Sequence, residues 1–141
     1  MKLSLAFAAM ALVVGIGPAS ATMRIYDDRG GQIGNYLAKY HSLRESGERV
    51  VIDGTCASAC TMLLGAIPRN RICVTPRAVL AFHSAWTPSG DAAVSSDGNH
   101  YLWANYPRDI REWISRHGGL GPQIIYLRGP ELAAMYPACR D

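Results

Sequence analysis

Beyond its first 21 residues the chain has a single lysine, Lys39, and little charge of either sign. That lysine and twelve arginines face eleven carboxylates, a scattered net charge of +2. No basic stripe interleaves with aromatics, so the footprint of a nucleic-acid binder is missing. No third glycine accompanies Gly30-Gly31 at the spacing of a dinucleotide fingerprint, and no cofactor is implied. Internal repeats and low-complexity tracts are absent. At the N-terminus there is no twin arginine, and no cysteine stands at the end of the leader, where a lipid would be attached, so neither the twin-arginine route nor a lipid anchor is expected.

What is there begins with that run. Lys2 is a positive flank, Leu3 to Ile16 is almost wholly apolar, and Ala19-Ser20-Ala21 is a small-residue cleavage site. Residues 1–21 therefore read as a signal peptide, too short in its apolar part for a span of roughly 20 residues. Cleavage would leave residues 22–141 as one domain without a stable membrane anchor, secreted or periplasmic. All four cysteines (Cys56, Cys60, Cys73, Cys139) lie in that part. An even count in an exported chain predicts two disulfides, with three connectivities open. A bridge from Cys139 back to the region around Ser58 would tie down the C-terminus. Zinc held by Cys56, Cys60 and His83 is the lesser alternative, because export favours bridges.

Met23 to Tyr26 reads as a strand, followed by a turn over residues 27–31. Ile33, Tyr36, Leu37, Tyr40 and Leu43 recur at helical spacing, predicting a helix over about 32–46 that ends near Gly47. Arg49 to Asp53 is a β-branched run and predicts a buried strand. Ser58 to Ala66 reads as a short buried helix. Arg71 to Val74 and Ala78 to His83 read as strands parted by Thr75-Pro76-Arg77. Residues 87–98 read as a loop, and Asn99 to His117 as helical with a break at Pro107. Gln123 to Leu127 and Glu131 to Met135 read as short helices opened by Pro122 and Pro130. The order predicts an α/β fold, a mainly parallel sheet with crossover helices, stabilised by disulfides.

In such a sheet the loops at the carboxyl ends of the strands form the natural site. Ser58, on a strand-to-helix turn of small residues, is the candidate nucleophile; a helix N-cap is its structural alternative. His83, ending a later strand, is the candidate general base. The backbone N–H groups of Gly31 and Ala59 are the candidate oxyanion hole.

These residues, in this order, resemble the proteolytic subunit of the Clp protease, within the Clp/crotonase superfamily. Ile25-Tyr26-Asp27-Asp28-Arg29-Gly30-Gly31-Gln32 looks like that family's strand and oxyanion loop. Cys56-Ala57-Ser58-Ala59 looks like its nucleophile turn, and Arg71 to His83 like its proline turn and base-bearing strand. The similarity covers residues 23–85 and is closest to shorter, exported relatives. It implies a serine peptidase acting on peptides or proteins, with the capacity to form a homo-oligomer. The family's ATPase partner is not expected where there is no ATP. The family's orienting aspartate falls near Ile124, so Asp109, Glu112 and Glu131 are the candidate third members, the alternative being a Ser–His dyad. The competing function is a catalytically inactive binding or self-association module, with Trp86, Tyr101, Trp103, Tyr106 and Trp113 as its surface; core packing is the alternative for most of these aromatics and the favoured one for Trp113. Thioester chemistry of the crotonase branch ranks last, since it needs a coenzyme A ester outside the cytoplasm.

Overall fold

A computed structural model describes residues 21–87 and 94–140. The expected signal peptide lies outside them except for Ala21, whose carbonyl accepts the Arg49 N–H at 3.2 Å. Of the expected loop, residues 88–93 also lie outside. The structure is α/β, with five strands in one mixed sheet and five α-helices among the described residues. In chain order these are β1 (Thr22–Asp28), α1 (Ile33–Ser46), β2 (Arg49–Ala57), α2 (Leu63–Ala66), β3 (Ile72–Val74) and β4 (Val79–Phe82). Then come α3 (Ser96–Asn105), α4 (Arg108–Arg116), β5 (Ile125–Arg128) and α5 (Gly129–Met135). A 3-10 turn over Ser58–Met62 leads into α2, and another over Arg69–Arg71 precedes β3. Among the described residues no helix is long and apolar enough to cross a membrane.

β2 is the spine. Val50, Val51 and Ile52 are buried, as expected for a strand covered on both faces. β1 pairs with it in parallel on one side. On the other side its first half pairs in parallel with β3 and its second half with β4. β3 and β4 thus act as one strand broken by a jog at Thr75 to Ala78. Gly54 lies at the irregularity between β1 and β2, where a Cβ would stand 1.7 Å from the Tyr26 carbonyl oxygen.

A buried carboxylate holds the jog. Asp53 on β2 is 4 % exposed and accepts hydrogen bonds from Thr75 Oγ1 (2.7 Å), Arg77 Nη2 (2.7 Å) and Arg24 Nη1 (2.8 Å). The Thr75 hydrogen bond and the two guanidinium groups outweigh burial and hold its pKa down to about 2.

Two segments differ from the sequence expectation. Gln123 to Leu127 is not a helix: Ile125–Arg128 is β5, antiparallel to β4, with Leu80 opposite Leu127 and Phe82 opposite Ile125. Leu127 is buried while Tyr126 and Arg128 are exposed, the two-residue alternation of a strand that covers the free edge of β4. The sheet is mixed for that reason. The loop expected to last through residue 98 gives way earlier, because the Ser95 hydroxyl caps α3 by accepting the Gly98 N–H at 3.0 Å.

All four cysteines are bridged, Cys56 to Cys60 and Cys73 to Cys139, so none is left as a zinc thiolate. Cys139 ties the C-terminus to β3, not to the region of Ser58. The two bridges point to an oxidising compartment. Tyr106 and Trp113 are core residues, packed with Phe82 at ring distances of 5.3 and 5.9 Å, and cannot serve as an association surface.

Two stability predictions follow from these contacts. Asp53 has a folded pKa of about 2 against an ordinary value of 3.8, so its contribution is complete above 3.8 and is lost as pH falls through 2. Melting temperatures of the wild type and Asp53→Asn should differ at neutral pH and converge toward pH 2; parallel curves would exclude Asp53 as the source. The Cys73–Cys139 bridge closes a loop between residues 66 apart. Its removal in a Cys73→Ala/Cys139→Ala variant should cost about 4 kcal/mol in urea unfolding, from loop-closure entropy.

Candidate active site

Strand register sets the site. Ala57 on β2 lies opposite Ala81 on β4, so Ser58 and His83 leave the sheet at the same end. Asp28 on β1 lies opposite Cys56, which brings Gly30 and Gly31 to that end too. Gly30, Gly31, Ser58 and His83 line one cavity of about 490 Å³, with Ile33, Ala85, Trp86 and Leu102 among its apolar walls. Among the described residues of the lining, Arg29 is the one Lys, Arg, Asp or Glu.

Ser58 is the sole non-glycine residue with positive φ (55°) among the described residues. A left-handed serine costs roughly 1–3 kcal/mol and persists where its surroundings over-determine it. They do so here. The Cys56–Cys60 disulfide spans the turn. Thr61 Oγ1 donates to the Ser58 carbonyl at 2.6 Å and lies 2.7 Å from the Tyr106 hydroxyl. The Tyr40 hydroxyl donates to the Cys60 carbonyl at 2.8 Å. Gly30, at φ 83°, presses on the turn from the other side; a Cβ there would lie 2.8 Å from Ser58 Cβ and 2.9 Å from Ala59 N. The 3-10 helix begins at Ser58 and its N-cap is Ala57, so Ser58 does not occupy the N-cap position.

His83 is 8 % exposed. Its Nδ1 lies 2.7 Å from the Ser84 carbonyl oxygen. A carbonyl only accepts, so Nδ1 carries the proton and Nε2 of the neutral ring is a bare acceptor. That is the tautomer a general base requires. The ring stacks on Trp86 at 5.1 Å and 27°, and Trp86 is 64 % exposed. Ser58 and His83 are not hydrogen-bonded to each other among the described residues; apo sites often tighten only around substrate.

The oxyanion loop has its own support. Asp28 Oδ1 accepts the Gly30 N–H at 3.0 Å and the Tyr36 hydroxyl, and Lys39 Nζ lies 3.4 Å from Oδ2. Burial acts to raise the Asp28 pKa, but these hydrogen bonds and the Lys39 charge prevail and hold it below the ordinary value. Burial together with Asp28 pushes the Tyr36 hydroxyl up to about 12. The Gly30 N–H is thereby occupied. The Gly31 N–H makes no hydrogen bond among the described residues, and Ala59 N–H sits in the first turn of its 3-10 helix, where no intrahelical acceptor precedes it.

The three carboxylates considered for the third position lie elsewhere. Asp109 pairs with Arg69 at 2.8 Å, Glu112 with Arg108 at 2.8 Å, and Glu131 stands 3.9 Å from His117 Nε2. None of them hydrogen-bonds His83 among the described residues. Sequence reasoning also missed Ser84, because a backbone carbonyl has no signature, and Asp28, whose spacing two before Gly30 is that of an Asx turn. No protein-family model matches the chain, and no curated protein matches it.

The two glycines should differ sharply on substitution. Gly30→Ala should lose about 2 kcal/mol or more from overpacking alone. Gly31→Ala, whose Cβ would meet just the Tyr36 ring at 3.5 Å, should lose less than about 1 kcal/mol. Equal losses in denaturant titrations would count against the packing of Gly30 on the Ser58 turn.

Proposed function

We propose that the protein is an exported, ATP-independent serine hydrolase of Clp/crotonase type that cleaves peptide or protein substrates. The observation that carries the reading is one cavity wall holding a left-handed serine and a histidine anchored through Nδ1. Together these are the parts of a Ser–His site: a nucleophile on a constrained strand-to-helix turn and a base in the receptive tautomer.

In the proposed reaction a substrate carbonyl lies in the cavity with its oxygen toward the Gly31 and Ala59 N–H groups. Ser58 Oγ attacks the carbonyl carbon as His83 Nε2 takes the hydroxyl proton. The negative oxygen is held by the two N–H donors, next to the first turn of the 3-10 helix. His83 returns the proton to the departing amine, leaving an acyl ester on Ser58. Water then attacks that ester with His83 again as base, releasing the acid and restoring the serine.

A binding or self-association module is the second reading, favoured by the exposure of Trp86 (64 %) and Tyr101 (57 %). Covalent chemistry separates the two. A fluorophosphonate probe should label the protein, Ser58→Ala should abolish the label, and His83→Ala should slow it by roughly 10²-fold or more. A folded, disulfide-intact protein that takes no label would leave the binding module as the better account.

A further inference from the structure

The Ser84 carbonyl that accepts the His83 Nδ1–H hydrogen bond belongs to the peptide joining Ser84 to Ala85. That peptide has a second polar group, the Ala85 N–H, on the opposite side of the same rigid plane. It donates to Asn99 Oδ1 at 2.7 Å. Asn99 lies in the first half of α3, and that helix grips Ala85 twice, because the Ser95 N–H also donates to the Ala85 carbonyl at 2.8 Å. On the other side the Ser84 N–H donates to the Gly121 carbonyl at 2.7 Å. Ser84 is 3 % exposed, so water does not readily replace these partners.

We propose that Asn99 is a positioning residue for the base: its side-chain oxygen fixes the Ser84–Ala85 peptide plane, and that plane's carbonyl fixes the His83 ring and its tautomer. The chain of contacts runs Asn99 Oδ1 to Ala85 N–H, then Ser84 C=O to His83 Nδ1–H. Without the Asn99 acceptor, the peptide keeps a buried donor with no partner and is driven to rotate toward one. Rotation turns the carbonyl away from Nδ1 and frees the ring to place its proton on Nε2, the form that cannot accept from Ser58. Asn99 therefore takes, at one remove, the orienting role for which Asp109, Glu112 and Glu131 are misplaced.

The inference rests on the proposed hydrolase reading, and two separate readouts test it. The first is the 15N spectrum of the neutral His83 ring in the full mature protein. The wild type and Asn99→Asp, which keeps an acceptor at the same place, should show Nδ1 protonated and Nε2 bare. Asn99→Ala should show a mixture or the reverse. The second is the rate of fluorophosphonate labelling, which should fall roughly 10- to 100-fold in Asn99→Ala and be restored by Asn99→Asp. A wild-type ring protonated on Nε2 overturns the proposal. So does an Asn99→Ala protein that keeps both the wild-type tautomer and the wild-type rate. If the wild type takes no label, the hydrolase reading fails, and the ring spectrum alone still decides whether Asn99 sets the tautomer.

Discussion

The left-handed backbone of Ser58 is the constraint around which the rest is arranged. A serine at φ 55° is held against its own preference, at a cost of roughly 1–3 kcal/mol. Four independent elements supply the restraint: the Cys56–Cys60 bridge, the Thr61–Tyr106 pair, the Tyr40 hydroxyl and the bare backbone of Gly30. They come from β2 and its turn, the end of α3, α1, and the loop after β1. The turn is thus where the parts of the fold meet, and its conformation is a property of the whole domain. A turn made of local contacts alone would relax.

The sheet contributes alignment. Parallel pairing of β1 and β4 with β2 sends three chain segments out at one end, within two residues of their last paired positions. That alignment depends on the break between β3 and β4, which Asp53 holds with Thr75, Arg77 and Arg24. The second disulfide joins β3 to the last residues of the chain. A domain of this size has a limited core, and covalent ties at both ends of the β2 spine compensate for it.

Features carried by local pattern were legible in the sequence. The helical spacing from Ile33 to Leu43 gave α1, and the run Val50-Val51-Ile52 gave β2. The small residues around Ser58 marked a turn. β5 was misread because Ile125 to Leu127 is too short for periodicity to separate strand from helix, and Pro122 suggested a helix start. Its strand character comes from the free edge of β4, a partner 47 residues earlier in the case of Leu80 and Leu127. Disulfide pairing was equally closed to inspection, since Cys73 and Cys139 meet through the path of the whole chain. The positive φ of Ser58 and the role of Ser84 lie in the backbone, where residue identity says little. Asn99 acts on a peptide group, so its part is visible only once α3 is placed beside Ala85.

The proposed site differs from a carboxylate triad in the group that orients its histidine. An orienting aspartate does two things: it selects the tautomer with the proton on Nδ1, and its charge stabilises the imidazolium formed during reaction. In serine hydrolases an asparagine in that place costs roughly 10⁴ in rate, because it favours the wrong tautomer. A backbone carbonyl cannot make that error, since it has no proton to donate and accepts from Nδ1 alone. It therefore retains the first function and gives up the second. The indole of Trp86, stacked on the ring, presents a negative π face to any positive charge that develops there, a weaker substitute for the lost anion. On the proposed reading this site keeps a triad's choice of tautomer while giving up its charge. The expected chemistry is that of a slow, orientation-driven hydrolase with an apolar cavity.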